Sequence, residues 1–267
     1  MNTDGTIHLH LGFHKTGSTS LQELLRVNRG RLGADTLCFV QYDPELRPVE
    51  AACKRYDRKP TPGNARALHK AWVRLMDRCA RSGAARILIS SENLSGRIPS
   101  LRDTAPPYAA TGAILAILAG ASAPARLEAT LYLRDGWAWL DSLARHLART
   151  RGETRTARDL AATEKFAHPE TLLSEAAARI AAEAGFAVHT LAFEDDLNAR
   201  LGPGESWLRQ TGISDALLAG LEPVSAQNPG LSQAATEALQ RPWMRLLPRK
   251  LRAAALRRRA GRLRGSR

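Results

Sequence analysis

The sequence predicts an α/β fold, a three-layer α/β/α arrangement built on a central, mostly parallel sheet. Three observations carry this. Apolar strand-like runs alternate along the chain with segments of helical apolar spacing. Those helical segments are long enough to cross a sheet face, which makes the repeating unit βαβ and the strands parallel. No Pro/Gly/Ser-rich linker divides the 267 residues, so one large domain is expected over residues 1–240, followed by a basic tail over 241–267.

The elements follow in order. Thr6–Gly12 reads as the first strand and residues 18–29 as the first helix. Thr36–Val40 and residues 85–90 read as strands around a helix at 64–81. Residues 110–121 are almost wholly apolar but shorter than the roughly 20 residues of a membrane span, so they read as a buried helix. Arg126–Leu133, a helix at 136–150, a helix at 171–184 and a strand at 187–193 complete the pattern. Residues 51–62 and 97–107, rich in proline and charge, read as loops on the acceptor side of a site. In such folds ligands bind beyond the carboxyl ends of the strands. The segments 12–19, 42–44, 91–95, 134–136 and 194–196 should therefore meet in space.

Composition narrows the class. Hydrophobic residues at 44% and charged residues at 24% are those of a globular chain. The start carries Asp4 and no basic apolar leader, and the expectation is a cytoplasmic protein. Cys38, Cys53 and Cys79 are odd in number and lack C-x-x-C spacing, which argues for reduced core thiols. The net charge of +13 suggests nucleic acid until it is located. Eleven basic residues and no acidic ones lie in 241–267, so the body is nearly neutral and nucleic acid is disfavoured as a partner. The tail also holds Trp243, Leu246, Leu247, Leu251 and Leu256; a peripheral membrane contact, a polyanion and no specific partner all stay open for it.

The chemistry concentrates in the first strand–loop–helix, Gly12-Phe13-His14-Lys15-Thr16-Gly17-Ser18-Thr19-Ser20. Glycines, a lysine and hydroxyls before a helix make a phosphate cradle, because backbone N–H groups and the helix dipole point at an anion. Gly12, Gly17 and Thr19 have the spacing of the nucleoside-triphosphate loop G-x-x-x-x-G-K-[ST], but Ser18 occupies the lysine position and Lys15 stands three residues earlier. A second constellation is Arg134, at a strand end, with Ser142 eight residues on. Both could reach one phosphate, the guanidinium bidentately.

These two motifs resemble the sulfotransferases that use 3′-phosphoadenosine 5′-phosphosulfate (PAPS), and the run from Gly12 to Thr19 is especially similar to bacterial members. One departure is visible: the family often has proline two residues after the arginine, and here Gly136 stands there. The resemblance implies a P-loop nucleoside-triphosphate-hydrolase-like sulfotransferase fold, PAPS as co-substrate and no metal. It assigns Lys15, Thr16, Gly17, Ser18, Thr19 and Ser20 to the 5′-phosphosulfate, and Arg134 with Ser142 to the 3′-phosphate. The family's base is a glutamate or histidine; Glu92, after a buried strand, resembles it in placement, and His14 competes. The acceptor would be a hydroxyl of a glycan, lipid-linked saccharide or small molecule. Trp137 and Trp139 could stack on adenine or belong to the core, and residues 228–232 could cover the nucleotide or form a turn. Two rivals stay open: a P-loop kinase using ATP and Mg²⁺, and a noncatalytic anion-binding module.

Overall fold

The computed structural model describes residues 5–224. The tail, the boundary at residue 240 and residues 228–232 lie outside them. The described chain groups into two compact units, residues 5–99, 107–134 and 174–224 in the first, and residues 100–106 and 135–173 in the second.

The first unit holds a five-stranded sheet of β1 (Thr6–Gly12), β2 (Thr36–Val40), β3 (Arg86–Ser90), β4 (Arg126–Leu133) and β5 (Val188–Ala192). Their order is β2-β3-β1-β4-β5 and every pairing is parallel. The sheet is thus wholly, not mostly, parallel. The chain leaves β1 toward one edge and returns across it to β4, so the carboxyl end of β1 lies where the connections diverge.

Side chains alternate between faces along a strand, and here both faces are covered. On one face, α1 (Ser18–Val27) buries Leu21, Leu24 and Leu25 with Cys38, Val40, Leu88 and Tyr132 of the sheet. Trp207 and Leu208 of α8 (Glu205–Gln210) and Leu218 of α9 (Asp215–Ala219) join that cluster. The alternate positions, among them Leu9, Leu11, Ile89 and Leu131, are fully buried as well. Three mutually packed helices, α2 (Arg47–Arg58), α3 (Pro62–Ser82) and α4 (Thr111–Gly120), supply the other layer. Ile114, Leu115 and Leu118 of α4 are fully buried, as its unbroken apolar sequence requires.

One expectation is corrected. Residues 51–62 are not a loop, because α2 occupies 47–58 and α3 starts at Pro62. Val49, Ala52 and Cys53 repeat at helical spacing and are buried, and Pro48 stands in the first turn, where no N–H is needed. Residues 97–107 do form a loop, without helix or strand. The three cysteines are buried, and burial pushes the Cys38 and Cys79 thiols up to about 12. Among the described residues, no helix is long and apolar enough to cross a membrane.

The second unit is built on α5 (Gly136–Arg151) and α6 (Ala157–Ala161), and its boundary falls within α7 (Pro169–Ala184). Trp139 packs on Phe166 with ring centroids 6.3 Å apart, both fully buried. A Cβ at Gly136 would stand 1.7 Å from the Pro169 carbonyl oxygen. That contact excludes proline, the residue the resembling family often carries there.

His10 sits inside the first unit's core, its Nδ1 2.8 Å from Ser90 Oγ and its ring against Tyr132 and Trp207. Burial pushes its pKa down to about 3. Between that value and about 6.5 the unfolded chain takes up a proton that the native one refuses. Stability is therefore complete above about 6.5 and falls as the pH drops, by up to about 1.4 kcal/mol per unit from this residue. Urea unfolding followed from pH 7 down to pH 5 should show the decline, and a His10→Gln variant should show a shallower one.

Candidate functional site

The register between β1 and β4 slips between His10 and Gly12, and Gly12 turns to φ 81°. A Cβ there would stand 3.2 Å from both the Glu92 Cβ and Ser18 Oγ, so the loop closes tightly over this residue. Five residues on, Gly17 (φ 82°) is the N-cap of α1. A Cβ on Gly17 would meet Phe193 at 2.6 Å and Pro203 at 2.8 Å. No side chain caps this helix, while the Ser20 N–H donates back to the Gly17 carbonyl at 2.9 Å. The Ser18 and Thr19 N–H groups stand at the positive end of the helix dipole without a side-chain cap.

Between the glycines, Lys15 has φ 72°. The left-handed region costs a lysine about 1–2 kcal/mol, so the surroundings must hold it there. They do so from several sides. Arg134 Nη1 donates to the Lys15 carbonyl at 2.9 Å. Thr16 Oγ1 donates to the Phe13 carbonyl at 2.5 Å, and Ser18 Oγ lies 3.5 Å from the same oxygen. The His14 N–H donates to the Tyr108 hydroxyl at 3.1 Å.

The expected site residues thereby divide by task. The Thr16 and Ser18 hydroxyls are buried and turned onto the loop's own backbone. Thr19 is exposed and Ser20 half-buried at the start of α1. Lys15 is half-buried at the loop's centre. His14 is buried, its ring stacked on Tyr108 at 5.9 Å with Nδ1 3.4 Å from the phenol oxygen. Burial holds that phenol well above its usual pKa.

Glu92 opens a 3-10 turn over Glu92–Ser95. Neither helix capping nor an arginine occupies its carboxylate. Ser91 Oγ caps the turn by accepting from the Asn93 N–H, and no ion pair involves Glu92 among the described residues. Instead Glu92 Oε2 accepts from Gln22 Nε2 at 2.7 Å. Arg134 follows β4, half-buried, with its guanidinium 5.1 Å over the Phe193 ring. The segment carrying Phe193 and Pro203 is itself held by buried Asp196, which accepts from the Tyr132 hydroxyl at 2.5 Å and the Gly204 N–H at 2.8 Å. Residues 194–196 therefore anchor the cover over Gly17. Ser142 lies half-buried on α5, in the second unit. Of the tryptophans, Trp139 is core, while exposed Trp137 donates to Glu170 at 2.6 Å.

The structure thus gathers the loop, Glu92, Arg134 and the 193–204 segment at the carboxyl ends of β1, β3, β4 and β5, as the strand pattern predicts. Gln22, Tyr108 and Phe193 were not expected. Only Gln22 had a local signal, four residues after Ser18 and so on the same helix face. No protein-family model matches the chain, and no curated protein matches it either.

Gly17→Ala combines a left-handed backbone with contacts no side chain can accept. It should destabilise the protein by about 1–3 kcal/mol in urea unfolding while leaving far-ultraviolet circular dichroism native-like at low urea.

Proposed function

We propose that the protein transfers a sulfuryl group from PAPS to a hydroxyl of a glycan, lipid or small-molecule acceptor. One observation carries the reading: Lys15 stands at the centre of the strand–helix loop, its strained backbone held by Arg134, while Ser18 opens the helix. In a nucleoside-triphosphate loop the lysine stands at the helix start and reaches β- and γ-phosphates. Three residues earlier it serves an anion lying over the loop itself, at the bridge between sulfate and phosphate. The glycine turns and uncapped first turn of α1 fit a phosphate: N–H groups face it, and a Cβ at Gly17 would collide with Phe193.

Each residue then has a role. Backbone N–H groups of 16–19, with the Thr19 hydroxyl, hold the 5′-phosphate. Lys15 neutralises the charge that grows on the bridging oxygen as its bond to sulfur breaks. Glu92, oriented by Gln22, takes the proton of the acceptor hydroxyl as that oxygen bonds to sulfur. Arg134 serves the 3′-phosphate, and a role for Ser142 rests on the sequence resemblance. The protein's contribution is alignment and charge stabilisation.

The reading predicts thermal stabilisation by 3′,5′-diphosphoadenosine and a much smaller shift with ADP, measured by scanning fluorimetry. Equal shifts would overturn the 3′-phosphate assignment. Lys15→Ala should lower sulfuryl transfer by about 10²–10³. Transfer should also persist in excess EDTA; strict Mg²⁺ dependence with ATP consumption would favour a kinase.

A further inference from the structure

Tyr108 stands between the loop 97–107 and α4 with φ 60°, and its side chain is only 4% exposed. A bulky residue in the left-handed region is strained, and strain that persists asks what it is for. The Thr111 N–H donates to the Tyr108 carbonyl at 3.1 Å and holds the turn. The ring packs on Phe13, with centroids 4.4 Å apart, and lies nearly parallel to the His14 ring at 5.9 Å. The turn thus delivers one phenol to two neighbouring residues of the phosphate loop.

The hydroxyl meets His14 twice. Its oxygen accepts from the His14 N–H at 3.1 Å and lies 3.4 Å from His14 Nδ1. Two placements of the protons fit these distances. In the first, Nδ1 carries a proton and donates it, so the oxygen accepts from both groups. The phenol's own proton is then buried without an acceptor among the described residues, which is costly. In the second, the phenol donates to Nδ1, and the N–H, the hydroxyl and Nδ1 are all satisfied. The second placement fixes the imidazole: Nδ1 accepts, and the ring proton sits on Nε2.

We infer that Tyr108 is a positioning residue that holds His14 as its neutral Nε2–H tautomer and so bars it from acting as the base. Nδ1 is engaged by the phenol and Nε2 already carries a proton, so the ring has no lone pair for an acceptor hydroxyl. Of the two candidate bases, Glu92 alone can accept. The proton then leaves the acceptor hydroxyl for the Glu92 carboxylate as that oxygen bonds to sulfur and the bond from sulfur to the bridging oxygen breaks. This step rests on the sulfuryl-transfer reading, while the tautomer rests on the two distances to the phenol.

The test is a long-range ¹H–¹⁵N correlation spectrum of the full chain labelled at histidine nitrogens, recorded at neutral pH without and with saturating 3′,5′-diphosphoadenosine. The His14 signals are identified by their loss in His14→Gln. Both spectra should show His14 Nδ1 as an unprotonated acceptor nitrogen and Nε2 as the protonated one. Tyr108→Phe keeps the ring against Phe13 and removes the hydroxyl; its Nδ1 signal should move, because the bond to that nitrogen is lost. A protonated Nδ1 in the wild-type protein, or an Nδ1 signal that Tyr108→Phe leaves in place, would overturn the inference. If Tyr108→Phe does not fold, as judged by circular dichroism, the wild-type spectrum alone decides the tautomer. A thermal shift with the nucleotide beside a protonated Nδ1 would keep the donor reading and return His14 as the base. The expected tautomer without any nucleotide shift would sink the donor reading and keep the role of Tyr108.

Discussion

The hydrogen bond from the Arg134 guanidinium to the Lys15 carbonyl is the contact on which the candidate site depends. The loop turns through the left-handed region at Gly12, Lys15 and Gly17. Glycine does so freely, but lysine must be held, and Arg134 holds it from the end of the neighbouring strand. The bond exists only because β4 lies directly beside β1, a consequence of the order β2-β3-β1-β4-β5.

The same residues serve core and site. Phe193 belongs to the apolar cluster beneath α1, lies under the Arg134 guanidinium and leaves no room for a side chain at Gly17. Its segment is fixed by Asp196, whose buried carboxylate accepts from Tyr132, Gly204 and Ser206. A buried carboxylate with its acceptor sites used is rigid, and that rigidity passes to the loop. Glu50 does the same on the other side, where it joins the turns after β2 and β3.

Most of the fold was legible because a parallel sheet buried on both faces leaves a strong mark. β1, β2 and β4 match the strand pattern at both ends, and β3 and β5 differ by a residue at one or both ends. α2 was missed because its proline and charges outweigh the short run Val49, Ala52 and Cys53. α6, α8 and α9 are only five or six residues long, too short for periodicity to register. Within the site, the loop residues, Glu92 and Arg134 were legible from motif and strand position. Tyr108 and Phe193 were not given roles, because what they do depends on partners distant in the chain.

The amino-acid order by itself determined the alternation of strands and helices, the glycine–lysine–hydroxyl loop, the displacement of Lys15 from the helix start, and the concentration of the net positive charge in the last residues. These are local properties, set by side-chain period, backbone freedom and composition. Tertiary structure decided which hydroxyls turn inward, that Gln22 holds Glu92, that Gly136 excludes a side chain, and that Arg134 props the lysine. Each of these last is a contact between segments that meet only after the sheet forms, and no local pattern encodes the distance between them.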